Sequence, residues 1–194
     1  MKAYLEITLL PNNDIGHYFL WSKVFQQIHL ALVELKKDND TSLCGITFPE
    51  FNEQKNQLGQ KIRVFAPEKK QLEALNLVKW LKRLHDYTHM THIRDVPDHV
   101  DQYVRFTRVQ IKSSRQRLAR RAVKRHSISY AQAIANLADF QPKYSAVPFI
   151  QLKSLGNGNQ FRLLISKETM SEVSNPSAQF NSYGLSNGSV LPCF

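Results

Sequence analysis

Histidines are the residues of this sequence best suited to moving protons, because the unperturbed pKa of a histidine lies near neutrality, at about 6.5. The chain has seven of them, and composition alone does not select one. His29 lies between Ile28 and Leu30, one position from an apolar stripe at helical spacing, so we expect it at the edge of a core. A histidine at such a boundary is more often structural than catalytic. His29 is therefore a candidate general base, with a structural role as the alternative.

Three other histidines, His85, His89 and His92, are spaced four and three residues apart, as metal ligands can be. The helical pattern ends near Tyr87 and no further ligand completes a set, so we predict no metal site and no cofactor. GxxxxGK[ST] and HExxH motifs and dense acidic clusters do not occur in the sequence, which argues against P-loop, zinc-protease and two-metal nuclease chemistry.

The positive charge of the chain is concentrated in one segment. The formal net charge is +10 at pH 7, and a surplus of this size favours phosphate polymers or anionic membranes as partners. From Arg105 to Arg125 there are nine basic residues and no Asp or Glu, which leaves 17 basic residues against 16 acidic ones elsewhere. Nearly the whole excess therefore falls in this segment.

The pattern RQRLARRAVKR predicts a helix over residues 115–125, capped by Ser113 or Ser114. Helical periodicity puts Leu118, Ala119, Ala122 and Val123 on one side and Arg117, Arg120, Arg121, Lys124 and Arg125 on the other. These cations repel one another without an acid at helical spacing, so a polyanion would stabilise the helix. A solvated charged face is the alternative. Membrane binding is less favoured, since the apolar side carries no Trp or Phe.

Just before this helix, Arg108 and Gln110 alternate with Val109 and Ile111, so both are expected to project from one side of an extended segment. Arginine and glutamine can make bidentate contacts to guanine and adenine edges. Intact A-form RNA hides those edges, but the end of a short stem exposes them. Ordinary surface residues are the alternative.

A basic helix and a candidate base in one small protein suggest RNA cleavage without a metal, in which the 2′-hydroxyl of the substrate attacks the adjacent phosphate. Such a site must deprotonate that hydroxyl, hold it in line and stabilise the developing charge. One histidine with a few positioning hydroxyls can supply these functions.

Hydrophobic periodicity predicts the elements that position these residues. Strands are expected over residues 4–10, 43–51 and 61–66, an amphipathic helix over 17–37, a second helix after Pro67 with Leu72, Leu75, Val78, Leu81 and Leu84 inward, and a short strand near 90–96. The order βαββαβ is that of a ferredoxin-like (RRM-like) sheet with two helices on one face, which predicts an α+β fold.

The pattern changes near residue 100, so we predict two domains, a ferredoxin-like one over 1–98 that carries His29 and an RNA-hairpin-binding one over 99–194. In the second, FTRVQIK predicts a strand, and a small helix is expected near 129–138. Residues 149–166 predict a β-hairpin whose turn, LGNGN, uses Gly156 and Gly158 for positive φ angles.

Cys44 and Cys193 form no CxxC pair, which favours a reducing compartment over a disulfide framework. The first residues lack the apolar core of a signal peptide, and no apolar run reaches membrane-spanning length. We expect a soluble, cytoplasmic protein without a membrane partner.

Several segments, taken in order, carry a family resemblance: QQIHLAL at 26–32, GITFPEF at 45–51, TRVQIKS and RLARRAVKRH, KSLGNGNQFRL, and SYGLSNG. Together they resemble the type I-F CRISPR repeat-processing endoribonucleases, the enzymes of the Cas6 superfamily that mature crRNA. The resemblance runs from the first strand to Phe194.

The resemblance implies a role for individual residues. His29 matches the general base that acts on the 2′-hydroxyl, Ser154 the serine that holds the ribose, and Tyr183 the tyrosine that orients the histidine. Phe161 matches a residue that stacks beneath the last base pair of the stem, with a core aromatic as the alternative. Arg117, Arg120, Arg121, Lys124 and Arg125 match the helix that enters the major groove, and Arg108 and Gln110 match residues that read the lowest base pairs.

The resemblance also implies a reaction and partners. The expected substrate is the CRISPR repeat hairpin, cut without metal at the 3′ base of the stem to give a 5′-hydroxyl and a 2′,3′-cyclic phosphate. The protein is expected to stay on the crRNA as a subunit of a type I-F RNA-guided surveillance complex. Ala119 stands where a further Arg is expected, Lys124 replaces an Arg, and Cys193 replaces an aromatic. The alternatives are a non-catalytic hairpin-binding subunit of a ribonucleoprotein and, less favoured, a DNA-binding regulator.

Overall fold

A computed structural model of the chain describes residues 1–35, 42–111, 114–141, 146–170 and 179–194. It has mixed helices and strands with two antiparallel sheets. The last two residues of the helix predicted over 17–37 and the candidate cap Ser113 lie outside the described residues. Along the first half the elements are β1 (Ala3–Leu9), α1 (His17–Glu34), β2 (Gly45–Thr47), β3 (Lys61–Ala66), α2 (Lys69–Leu75), α3 (Leu77–Leu81), a 3₁₀ helix (Lys82–Tyr87), β4 (Thr88–Met90) and β5 (Arg94–Asp95).

The first sheet has the strand order β2-β3-β1-β4, and β5 also pairs with β1. All of these pairings are antiparallel. The alternation that predicted β1 is confirmed, because Leu5, Ile7 and Leu9 are buried while their neighbours are half-buried. The strand expected near 90–96 is present as two short pieces, β4 and β5.

The helix expected after Pro67 is broken at Asn76, which adopts a left-handed conformation with φ of 43° and separates α2 from α3. One residue outside the right-handed region changes the direction of the following helix, so the apolar stripe cannot continue in phase. Leu77 is buried instead of Val78, which is 66% exposed. The prediction that Val78 faces the core is wrong for this reason.

The second sheet consists of β6 (Gln102–Val109), β7 (Phe149–Lys153), β8 (Gln160–Met170) and β9 (Leu191–Cys193), in the order β7-β8-β6-β9. Between β6 and β7 lie α4 (Arg115–His126) and α5 (Tyr130–Ala135). The predicted β-hairpin is confirmed as β7 and β8. In its turn, Gly158 has a positive φ of 69°, whereas Gly156 does not.

The chain separates into two compact units. Residues 1–109 and 147–194 form the main unit, and residues 110–146 form the inserted unit, which interrupts the main unit between β6 and β7. Within the main unit both sheets share one apolar core, in which Phe48 meets Phe106 at a ring-centroid distance of 5.3 Å. The predicted division into a ferredoxin-like domain (1–98) and a hairpin-binding domain (99–194) is a different partition of the chain and stays a prediction. None of the described helices is long and apolar enough to cross a membrane.

Candidate functional site

His29 lies on α1 one residue beyond the fully buried Ile28 and is itself half-buried. Its Nδ1 lies 2.7 Å from the backbone carbonyl oxygen of Ser182. A carbonyl oxygen only accepts, so Nδ1 must donate, and in the neutral ring the lone pair that can take up a proton belongs to Nε2. The backbone therefore holds the imidazole in the tautomer that a general base at Nε2 requires.

Tyr183 covers the imidazole of His29. The two rings stack with centroids 4.3 Å apart and planes 15° apart. Ser182 and Tyr183, which hold the imidazole in this way, are consecutive residues. A histidine held by a backbone bond at one edge and a ring on one face has little freedom to rotate.

The turn of residues 181–185 is fixed by Asn181, whose Oδ1 accepts from the backbone N–H groups of Tyr183 (2.9 Å) and Leu185 (3.1 Å). Gly184 in this turn has a φ of 70°, and a Cβ there would lie 2.7 Å from a side-chain carbon of Ile46. The turn is thus specified by a cap and by close packing. Sequence reasoning missed Ser182, which acts through its carbonyl and so carries no side-chain signal.

Phe161 and Arg108 continue the cluster around Tyr183. The Phe161 and Tyr183 rings meet edge to face at 6.5 Å and 71°. The guanidinium carbon of Arg108 lies 5.7 Å from the centroid of each of these rings, within reach of a cation–π contact. Four of the sequence-predicted residues, His29, Tyr183, Phe161 and Arg108, are thus joined by direct contacts. We call them the His29 cluster.

Ser154 follows the last residue of β7 and is half-buried. Its backbone N–H donates to Asn159 (2.9 Å) and its carbonyl accepts from Gly158 (2.9 Å), so the hairpin turn fixes its backbone. Leu152, two residues earlier, pairs across the hairpin with Phe161 of the His29 cluster. The turn therefore places Ser154 at the end of the hairpin that carries Phe161.

Helix α1 packs against β7. The C-terminal parts of both elements lie toward the His29 cluster. At their other ends, Tyr18 stacks on Phe149 at 6.2 Å and 21°. From Tyr18 to His29 the helix rises about 16 Å, and from Phe149 to Ser154 an extended strand also advances about 16 Å. Because Phe161 ties the far end of β7 to the His29 cluster, the two elements run side by side in the same direction.

In the inserted unit, α4 begins at the predicted residue and ends one residue later than predicted, at His126. Its N-cap is Ser114, whose Oγ accepts from the backbone N–H of Arg117 at 3.4 Å. The predicted division into two sides is confirmed. Ala119 is fully buried and Leu118, Ala122 and Val123 are half-buried, whereas the cations are exposed: Arg117, Arg120, Arg121, Lys124 and Arg125. Among the described residues, none of these five pairs with a carboxylate.

The connection between the units separates Arg108 from Gln110. The strand predicted to run through FTRVQIK ends at Val109, where β6 stops pairing with β8, so Gln110 lies beyond the sheet and is exposed. Arg108 belongs to the main unit and Gln110 to the inserted unit. The structure thus brings Arg108 into the His29 cluster and leaves Gln110 on the connection.

Other candidate nucleophiles lie in surroundings that do not suit catalysis. Cys44 is fully buried, and desolvation raises the pKa of its thiol to about 12, which keeps it protonated. Residues 184–188 read GLSNG, a GxSxG pattern, but the Ser186 hydroxyl is buried and donates to the carbonyl of Ser189. No group of three His, Cys, Asp or Glu side chains that could hold a metal occurs in the described ranges.

Ala119 gives a test of the two-sided helix. Replacing it with Arg, the residue expected at this position, would force a charge into a fully buried site. We expect Ala119→Arg to lower the local stability of α4 by roughly 2 kcal/mol or more. Amide hydrogen exchange across α4 measures this. Gln116→Arg adds the same charge on an exposed position and should leave protection unchanged. Equal protection in both variants would contradict the assignment of the buried side.

Comparison with known proteins gives full-length matches. The model of the CRISPR-associated protein family Cas_Csy4 matches residues 4–194. The CRISPR-associated endonuclease Cas6/Csy4 of Pseudomonas aeruginosa (strain UCBPP-PA14) is 34% identical over 194 residues, and that of Escherichia coli (strain UTI89 / UPEC) is 31% identical over 195 residues. Each match covers 100% of both chains.

Two solved structures are distant neighbours. One is described as an RAMP protein binding different RNA substrates, and the other belongs to a Cas6-related gene from Pyrococcus furiosus. Both are 9% identical with a TM-score of 0.36, and they cover 100% and 99% of this chain and 100% and 98% of their own. The assignment to a family rests on the sequence matches.

Proposed function

Because the chain belongs to the Cas_Csy4 family of CRISPR-associated proteins, we propose that it is an endoribonuclease that binds the hairpin of CRISPR repeat transcripts and matures crRNA. The observation that carries the proposal is the His29 cluster. It joins a histidine whose tautomer is fixed to an aromatic pair and an arginine, all in the main unit. The histidine can act as a general base, the aromatic rings can stack on a base pair, and the arginine can bind a phosphate of the RNA.

The proposed reaction is attack of the 2′-hydroxyl on the adjacent phosphorus without a metal. His29 Nε2 takes the proton from the 2′-hydroxyl, the new P–O bond closes a 2′,3′-cyclic phosphate, and the 5′ oxygen leaves and is protonated to a hydroxyl. The hydrogen bond from Nδ1 to Ser182 stabilises the positive charge that the imidazole acquires. The Arg108 guanidinium is the cation of the cluster that can offset charge developing on the phosphate.

Ser154 and Tyr183 are proposed to position the reacting groups. The Ser154 hydroxyl holds the ribose that carries the attacking 2′-hydroxyl, since β7 ends on the side of the His29 cluster. Tyr183 keeps the imidazole in one plane by stacking on it. Holding reactants in an attack geometry is worth several orders of magnitude in rate.

The base of the stem is proposed to rest on Phe161, which places the cut at the 3′ base of the stem. Phe161 is half-buried and already in contact with Arg108, so a terminal base pair can stack against a ring that does not need to reorient. Arg108 and Gln110 then read the lowest base pairs.

The five exposed cations of α4 are proposed to enter the major groove of the hairpin. The inserted unit contains one acidic residue, Asp139, so little in its own sequence offsets these charges. RNA phosphates would supply the compensation and make binding depend on salt. A helix with one packed side and one cationic side suits this role.

The proposal extends to the organisation of the chain. The strand order β2-β3-β1-β4 with antiparallel pairs supports a ferredoxin-like arrangement of residues 1–98, with residues 99–194 supplying the hairpin-binding elements. We also propose that the protein acts in the cytoplasm and stays on the crRNA as a subunit of a type I-F surveillance complex.

The experiment that tests the mechanism uses two repeat hairpins in EDTA, one all-RNA and one with a single 2′-deoxy nucleotide at the cut site. We expect cleavage of the first and none of the second, with 5′-hydroxyl and 2′,3′-cyclic phosphate ends identified by mass spectrometry. Cleavage of both, or loss of cleavage in EDTA, would contradict 2′-hydroxyl attack without a metal. Binding without any cleavage would favour the non-catalytic hairpin-binding subunit.

A further inference from the structure

An exposed aromatic surface lies at the beginning of α1, away from the His29 cluster. Tyr18 is 60% exposed and stacks on Phe149, and the guanidinium carbon of Arg162 lies 4.7 Å from the centroid of Phe149. We call these three residues the Tyr18 ledge. The ledge thus joins an exposed ring, a second ring stacked on it and a cation over that second ring.

A cavity of about 410 Å³ opens beside the ledge and is lined by both of its aromatic rings. Its apolar lining residues include Leu20, Trp21 and Leu58, and Asn13 and Gln57 are among its polar lining residues. Among the described residues that line the cavity there is no Asp or Glu. An apolar wall with groups that both donate and accept suits a flat heteroaromatic base.

The ledge is aligned with the candidate catalytic histidine. Tyr18 and His29 are eleven positions apart on α1, which leaves them within about 20° of each other around the helix and about 16 Å apart along it. Unpaired RNA that leaves the base of the stem at His29 can reach Tyr18 within a few nucleotides.

We propose that the Tyr18 ledge binds unpaired nucleotides that flank the base of the hairpin, an inference that rests on the function proposed above. One base stacks on the exposed face of Tyr18, Arg162 contacts the neighbouring phosphate, and the cavity beside them accepts a further base. Stacking on an aromatic side chain tolerates any base, so the ledge adds affinity without adding sequence specificity. An apolar peptide would leave Arg162 and the carboxamides unmatched.

The test measures the affinity gained from a flank. Three repeat hairpins with a 2′-deoxy nucleotide at the cut site are compared, one without a flank, one with six uridines 5′ of the stem and one with six uridines 3′ of it. Dissociation constants are measured for the wild type, Tyr18→Ala and Phe19→Ala. Phe19 is the matched control, because it is 57% exposed but lies on a different side of α1.

One flank is expected to tighten binding about fivefold or more in the wild type and in Phe19→Ala, and this gain should disappear in Tyr18→Ala. The flank that produces the gain, 5′ or 3′ of the stem, is the one that binds the ledge. No gain with either flank, as expected if the ledge serves a protein partner, or a gain that survives in Tyr18→Ala, overturns the proposal.

Failure of the unflanked hairpin to bind any variant would instead count against the proposed function. In that case photocrosslinking tests RNA binding at the ledge separately. The probe is a single-stranded RNA of ten 5-bromouridine nucleotides. Crosslinking at Tyr18 that decreases on substitution of Arg162 with Ala supports the ledge. Crosslinking elsewhere overturns it.

Discussion

Replacing His29 with Ala is expected to slow cleavage of the repeat hairpin by about 10²–10⁴-fold while leaving the dissociation constant of the hairpin nearly unchanged. The imidazole supplies the proton acceptor, whereas hairpin affinity is proposed to come from α4 and the ring of Phe161. Single-turnover cleavage at saturating protein, together with filter binding of the 2′-deoxy hairpin, separates the two effects.

His85→Ala provides the control for this substitution, since the side chain of His85 is 74% exposed. It should change neither cleavage nor affinity. The thermal unfolding temperature of both variants shows whether a loss of cleavage comes from a loss of stability. A His29→Ala protein that melts well below the wild type, or that still cleaves at a similar rate, would assign His29 to the core instead of to catalysis.

Arg121→Ala is expected to weaken hairpin binding by roughly tenfold and to lower the slope of log affinity against log salt concentration by about 1. Arg121 is exposed near the middle of α4 with no carboxylate among the described residues to pair with. Its loss therefore removes a cation available to phosphate without removing an internal ion pair. Cleavage at saturating protein should persist, because His29 is untouched.

The matched control is Arg83→Ala, which removes the same charge from an exposed position on the 3₁₀ helix. Affinity titrations over a range of salt concentrations compare the two variants. If Arg83→Ala lowers the salt slope as much as Arg121→Ala does, the attraction comes from net charge and not from α4.

Much of the local structure could be predicted because hydrophobic burial leaves a periodic pattern. The alternation in β1, the two sides of α4 and its serine cap each follow from rules that act over a few residues. The break at Asn76 could not be found this way. At Asn76 the packing partner changes, since α2 packs on β1 and β3 whereas α3 packs on α1, and an asparagine within an apolar helical pattern does not by itself predict such a break.

The candidate site shows the same division between local and long-range information. The position of His29 at the edge of the core could be predicted from the helical periodicity. The family resemblance added Ser154, Tyr183 and Phe161 to the candidate site. The tautomer of His29 was not predictable, because its partner is a backbone carbonyl 153 residues away. The Tyr18 ledge was also missed, since it pairs a helix residue with a residue of a distant strand.

The insertion of residues 110–146 between β6 and β7 has an evolutionary consequence. The cationic helix belongs to the inserted unit, while Phe48, Phe106 and the His29 cluster belong to the main unit. If the helix reads the hairpin as proposed, drift in a repeat array can be matched by substitutions within the insertion at little cost to the fold. Lineages with divergent repeats should then diverge first in this segment, and the cutting chemistry is inherited largely intact.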